Sequence, residues 1–242
     1  MAHFVLVHGS WHGAWCWRKL IPLLELAGHS AVALDLPGHG DDRTPTSRIA
    51  LSDYTDRISA TVAAQPGPVV LVGHSMGGGA ITQAAEACSE HLRLLVYLTA
   101  YVPGHGSSIA EQALGDAASL LTGSVLIDPD AGVASLSEDV IDACFYADCE
   151  PDDIAFARKH LRDDPLAPLT APLDLQNAAA RTIPRVYIEC LRDATLTLEH
   201  QRAIRAAGSW ANVYSLDTGH SPFLSAPRAL AEHLLASLSF AR

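Results

Sequence analysis

Apolar and β-branched residues gather in short runs along the N-terminal half of the chain, and longer stretches of helical period separate them. His3 to Val7, Ser30 to Leu34, Val69 to Gly73 and Leu94 to Thr99 read as strands, the last ending near Ala100. Between them, Trp17 to Gly28 reads as a helix closed by a glycine, Ser52 to Gln65 as a helix capped by Ser52, and Met76 to Cys88 as a third. Strands that are apolar throughout, each followed by a helix, imply an α/β fold: a mostly parallel sheet with helices on both faces.

The rhythm stops at about Pro103. From there to about Pro184 the chain is rich in Gly, Pro, Asp and Ala, with helices expected near Ser107 to Leu121, Ser137 to Tyr146 and Asp152 to Leu161. It resumes with Arg185 to Cys190 as strand, Thr197 to Ala207 as helix, Asn212 to Leu216 as strand and Pro227 to Phe240 as helix. The expectation is one domain over residues 1–242, with a small helical cap inserted over about 103–184. Neither a repeat nor a long linker divides the 242 residues.

Composition narrows the function. Charged residues make up 18% of the chain, apolar ones 49%, and no apolar run is long enough to span a membrane. A formal charge of −11 opposes binding to phosphate backbones and acidic lipid, so neither nucleic acid nor membrane is an expected partner. The N-terminal residues already read as a strand and lack the basic start of a secretory signal. With five scattered cysteines and no Cys-x-x-Cys pair, reduced thiols and a cytoplasmic location are expected.

The chemistry centres on Gly73-His74-Ser75-Met76-Gly77, a Gly-x-Ser-x-Gly sequence placed between a strand and a helix. A serine on so tight a turn adopts strained backbone angles, and glycines on either side keep the strand and helix clear of it. Ser75 is the expected nucleophile. A base must take its proton, and in such folds the order along the chain is serine, acid, histidine.

His220 lies between the last strand and the last helix, and Asp193 follows the strand Arg185 to Cys190, so both fall at the sheet end that carries Ser75. Asp217 is the rival acid, but three residues before His220 is too local to orient the imidazole from behind. His8-Gly9-Ser10-Trp11 follows the first strand, and the N–H groups of Ser10 and Met76 are the expected oxyanion donors. His8 and His74 read as packing or hydrogen-bonding residues.

Trp11, Trp15 and Trp17 read as core and pocket wall, with Trp11, Gly9 and Ser221 lining the substrate pocket. Cys16 reads as a small buried apolar residue with a minor claim to reactivity. Cys144, Cys149 and His160 match no zinc spacing and lack a fourth ligand, so no metal is expected.

His3 to Trp17, the stretch Gly73 to Gly78, Asp193 to Gln201 and Gly219-His220 resemble the plant methylesterase and hydroxynitrile lyase family and its bacterial esterase relatives. The resemblance runs end to end and is weakest in the cap. It implies an α/β-hydrolase fold, a serine triad, no cofactor and a small ester as substrate, methyl carbamates of aromatic compounds included. Lyases of that family carry a threonine in the oxyanion loop and a lysine directly after the catalytic histidine. Gly9 and Ser221 stand there in this chain, which favours the esterase branch. An acyltransferase would use the same residues, and some proteins of this fold are small-molecule receptors. Cap surfaces in the fold often pair, so a homodimer is a further expectation.

Overall fold

The structure is a computed structural model that describes residues 1–242. In chain order the first half contains β1 (His3–Val7), α1 (Ile21–Leu26), β2 (Ser30–Leu34), α2 (Leu51–Ala63), β3 (Val69–His74), α3 (Gly77–Cys88) and β4 (Leu92–Leu98). The insertion holds α4 (Ile109–Leu114), β5 (Val125–Asp128), β6 (Val133–Leu136), α5 (Ile141–Phe145), α6 (Pro151–His160), β7 (Asp164–Pro165) and α7 (Leu166–Thr170). The chain ends with β8 (Arg185–Cys190), α8 (Leu198–Ala206), β9 (Asn212–Leu216), α9 (Pro222–Ser225) and α10 (Pro227–Ser237).

Six strands form one parallel sheet in the order β2-β1-β3-β4-β8-β9. Strand side chains alternate between faces, and the two halves of the core separate accordingly. Phe4, Leu6, Val70, Val72 and Val96 pack with Leu24 of α1 and Leu230 and Leu234 of α10. Val5, Val7, Leu71, Leu95 and Tyr97 pack with Tyr54 and Ile58 of α2 and Ala84 of α3. Burial on both faces explains why these strands are apolar throughout, each large side chain contributing about 1.5–3 kcal/mol relative to exposure.

The sheet order reverses at β1, since β2 lies to one side of it and β3 to the other. The helices that follow β1 and β3 therefore cover opposite faces, and a crevice opens at the carboxyl ends of the two strands. The close approach there demands glycine. A Cβ on Gly77 would stand 2.6 Å from His8 O, and one on Gly73 would stand 2.6 Å from Gly77 O.

Several expected elements change. The cap is mixed, since β5, β6 and β7 form a small antiparallel sheet among short helices. The stretch Ser107 to Leu121 is helical only as α4, which Ser108 and Glu111 cap reciprocally and which stops at Gly115. Trp17 to Gly28 divides into a 3₁₀ segment (Ala14–Lys19) and α1, because Pro22 lacks an N–H to continue a helix and starts a new one. At α2 it is Asp53, accepting the Ala50 N–H at 2.7 Å, that closes the first turn in place of Ser52. No helix is long and apolar enough to cross a membrane.

Because backbone atoms surround Gly77, Gly77→Ala is expected to destabilise the fold by about 1–3 kcal/mol, the usual cost of overpacking. A urea midpoint equal to that of the unsubstituted protein would contradict this account of the β1–α3 contact.

Candidate active site

Ser75 sits between β3 and α3 with φ 53°, a left-handed backbone that non-glycine residues seldom adopt. Its neighbours hold it there. Ser75 N–H donates to Leu98 O at 3.2 Å, and Ser75 O accepts from Gly78 N–H at 3.0 Å and Tyr101 N–H at 3.1 Å. Strain of this kind costs roughly 1–3 kcal/mol and persists only where the surroundings over-determine it. Trp11 (φ 61°) and Thr99 (φ 35°) are the only other non-glycine residues with positive φ, and they follow β1 and β4, the neighbours of β3.

The histidine and the acid converge on the same end of the sheet. His220 Nδ1 lies 2.7 Å from Asp193 Oδ2, and both side chains are buried. A carboxylate only accepts, so Nδ1 carries the proton and Nε2 keeps its lone pair as the basic nitrogen. Asp193 Oδ1 accepts from the Thr195 and Leu196 N–H groups at 2.7 and 2.9 Å, and Thr99 Oγ1 donates to Oδ2 at 2.5 Å. The rival Asp217 is 79% exposed and paired with Arg192 at 2.9 Å, away from the imidazole. The His220 ring bonds to Asp193, and no hydrogen bond joins it to Ser75 Oγ.

The loop after β1 is pressed against the elbow, since a Cβ on Gly9 would stand 2.8 Å from Ser75 Cβ. The N–H groups of Ser10 and Met76 donate to no protein acceptor and remain available to an oxyanion. Ser221, directly after His220, is fully buried and its hydroxyl has no partner.

A shell of neutral histidines lies behind these residues, none of them assigned a reacting role by the sequence. His74 Nε2–H donates to His220 O at 2.9 Å, bracing the loop that carries His220. His12 Nδ1–H donates to Ser10 O at 2.7 Å, and its Nε2 accepts from Tyr146 OH at 2.8 Å. His8 Nδ1–H donates to Gly9 O and its Nε2 accepts from Leu36 N–H. Burial lowers the pKa of all three, that of His12 to about 3, and charge repulsion from neighbouring histidines adds to it.

Trp11 is nearly buried, its indole N–H donating to Ala134 O of the cap at 2.9 Å. Its ring lies against Phe145, which in turn lies 5.6 Å from the His220 ring. Trp11 also lines a cavity of about 910 Å³ with Trp15, Asp35, Arg43 and Arg162 among others, and none of Ser75, Asp193 and His220 lines it. Of the residues expected to line the substrate pocket, Trp11 lines this cavity, whereas Gly9 and Ser221 do not. The cap also grips both loops of the pair: Leu120 N–H donates to Ala194 O, Thr195 Oγ1 to Cys144 O, and Gly219 N–H to Asp148 at 2.7 Å.

Cys16 is fully buried and its thiol pKa is pushed well up, first by burial and then by Asp35, which opposes any reactive role. Thr99, Phe145, Tyr146 and Asp148 escaped the sequence reading. Thr99 alone left a signal, as a polar residue ending an otherwise apolar strand.

The profile of the alpha/beta hydrolase family matches residues 4–233. A pheophorbidase of Raphanus sativus is 33% identical over 99% of this chain and 95% of its own length. Among solved structures, an Arabidopsis methylesterase superposes with a TM-score of 0.83 at 28% identity, covering 99% of this chain and all (100%) of that one. A pyrethroid hydrolase from Sphingobium faniae superposes with a TM-score of 0.84 at 25% identity, covering 98% and 97%.

The buried histidines set an acid limit on stability. In the unfolded chain each titrates near 6.5, whereas in the fold it stays neutral far below that, so the unfolded state binds more protons as pH falls. Stability should decline below about pH 6.5 by up to about 1.4 kcal/mol per pH unit for each such histidine. The urea midpoint is expected to drop between pH 7 and pH 5 and to drop less in His12→Gln. Equal pH dependence in the two proteins would refute the neutral assignment of His12.

Proposed function

The chain belongs to the α/β-hydrolase family and is a serine ester hydrolase, and on that premise we propose that Ser75, His220 and Asp193 are its catalytic triad. The observation that carries this reading is the buried Asp193–His220 hydrogen bond of 2.7 Å beside a serine held at φ 53°. Ser75 Oγ attacks the ester carbonyl as His220 Nε2 takes its proton, and the carbonyl oxygen becomes an oxyanion facing the N–H groups of Ser10 and Met76. The imidazolium, stabilised by Asp193, returns the proton to the departing alkoxide and leaves an acyl-serine. Water, deprotonated by the same nitrogen, releases the acid and restores Ser75.

The proposed substrates are small esters with an aromatic or apolar portion, methyl esters and methyl carbamates among them. Phe145, an apolar ring beside His220 that packs against Trp11, supports this choice, and so do relatives described as a methylesterase and a pyrethroid hydrolase. Gly9 and Ser221 argue against cyanohydrin cleavage. With no lysine after His220, no cation stands ready to stabilise a departing cyanide.

Ser75→Ala is expected to abolish both hydrolysis of p-nitrophenyl acetate and labelling by a fluorophosphonate probe. His220→Ala should lower turnover by about a thousand-fold or more. Unchanged hydrolysis in Ser75→Ala would overturn the mechanism. Product analysis with a competing alcohol separates hydrolysis from acyl transfer, since transfer product alone would contradict water as the acceptor.

A further inference from the structure

Thr99 stands at the end of β4, outside every motif that identifies a hydrolase, and is completely buried. A β-branched residue at φ 35° is a pronounced backbone outlier, because its Cβ substituents crowd the neighbouring carbonyls. Its N–H donates to Ile188 O at 2.8 Å, which fixes the end of β4 against β8. The side chain then points its hydroxyl at one acceptor only, Asp193 Oδ2 at 2.5 Å. That is the same oxygen that accepts His220 Nδ1–H at 2.7 Å.

We propose that Thr99 is a positioning residue for the reaction, holding Asp193 Oδ2 where the imidazole must find it and moderating the basicity of that oxygen. The proposal rests on the triad reading above. Asp193 Oδ1 is fastened by two backbone N–H groups of its own loop, so the loop sets where one oxygen lies and leaves the carboxylate free to rotate about that anchor. The hydroxyl of Thr99 removes this freedom from a different strand. A donor to Oδ2 also withdraws charge from it, so that the carboxylate stabilises the imidazolium without taking its proton. The strained backbone has a matching purpose, since it turns a side chain at the strand end towards a residue 94 positions away.

The test compares Thr99→Val, Thr99→Ala and Thr99→Ser with the unsubstituted protein and with Ser75→Ala, using p-nitrophenyl acetate across a pH series. Loss of the hydroxyl in Thr99→Val should lower kcat by about ten-fold with little change in KM, because Thr99 reaches the substrate only through Asp193 and His220. The acid limb of kcat/KM should move to higher pH, as a carboxylate with one donor fewer holds the imidazolium proton more firmly. Thr99→Ser keeps the donor and should restore both kcat and the limb. Thr99→Ala carries the comparison if the valine methyl is not tolerated beside the carboxylate.

A folded Thr99→Val or Thr99→Ala with an unmoved acid limb would overturn the proposal, and so would Thr99→Ser failing as badly as the apolar variants. Neither outcome would touch the triad if Ser75→Ala is inactive. Activity retained in Ser75→Ala would instead remove the premise itself.

Discussion

A carboxylate without water must be surrounded by donors, and Asp193 is satisfied by four: two backbone N–H groups, one hydroxyl and one imidazole N–H. Much of this end of the sheet is organised around that requirement. The backbone donors come from the loop after β8, the hydroxyl from the end of β4 and the imidazole from the loop after β9. These three strands are adjacent in the sheet, so their register brings together groups that are far apart in sequence. The parallel sheet is thus more than a scaffold for the elbow. It delivers each donor to one oxygen or the other.

The proposed triad also shares a buried shell. His8, His12 and His74 are kept neutral by burial, so none competes with His220 as a cation, and each spends an N–H on a carbonyl near the site. Phe145 lies 5.6 Å from the His220 ring and packs against Trp11. In such surroundings the effective dielectric is low, and the attraction between an imidazolium and Asp193 is correspondingly strong.

The sheet and the tight turn at Ser75 were legible in the sequence because their signals are local. An apolar run such as Val69 to Val72 and a glycine-flanked serine reveal themselves within a few positions. Asp193 and His220 required only the further knowledge of which strand ends face the elbow. Tyr146 and Asp148 were not legible, and Thr99 showed only as a polar end to an apolar strand, since each matters through one partner reached across the fold. The strands of the cap left no such signal, for a different reason. Val125 to Asp128 and Val133 to Leu136 are short, half-exposed and separated by Pro129, Asp130 and Gly132, so their pairing lies in a turn rather than in a hydrophobic period.

The bonds from the cap to Ala194, Thr195 and Gly219 mean that it is not a removable module. A protein that acquired a new cap by recombination would gain a different pocket and, in the same step, lose the ties that hold the loops of Asp193 and His220. Ancestry would then favour gradual substitution inside the cap over wholesale exchange, with substrate range and turnover inherited as one trait.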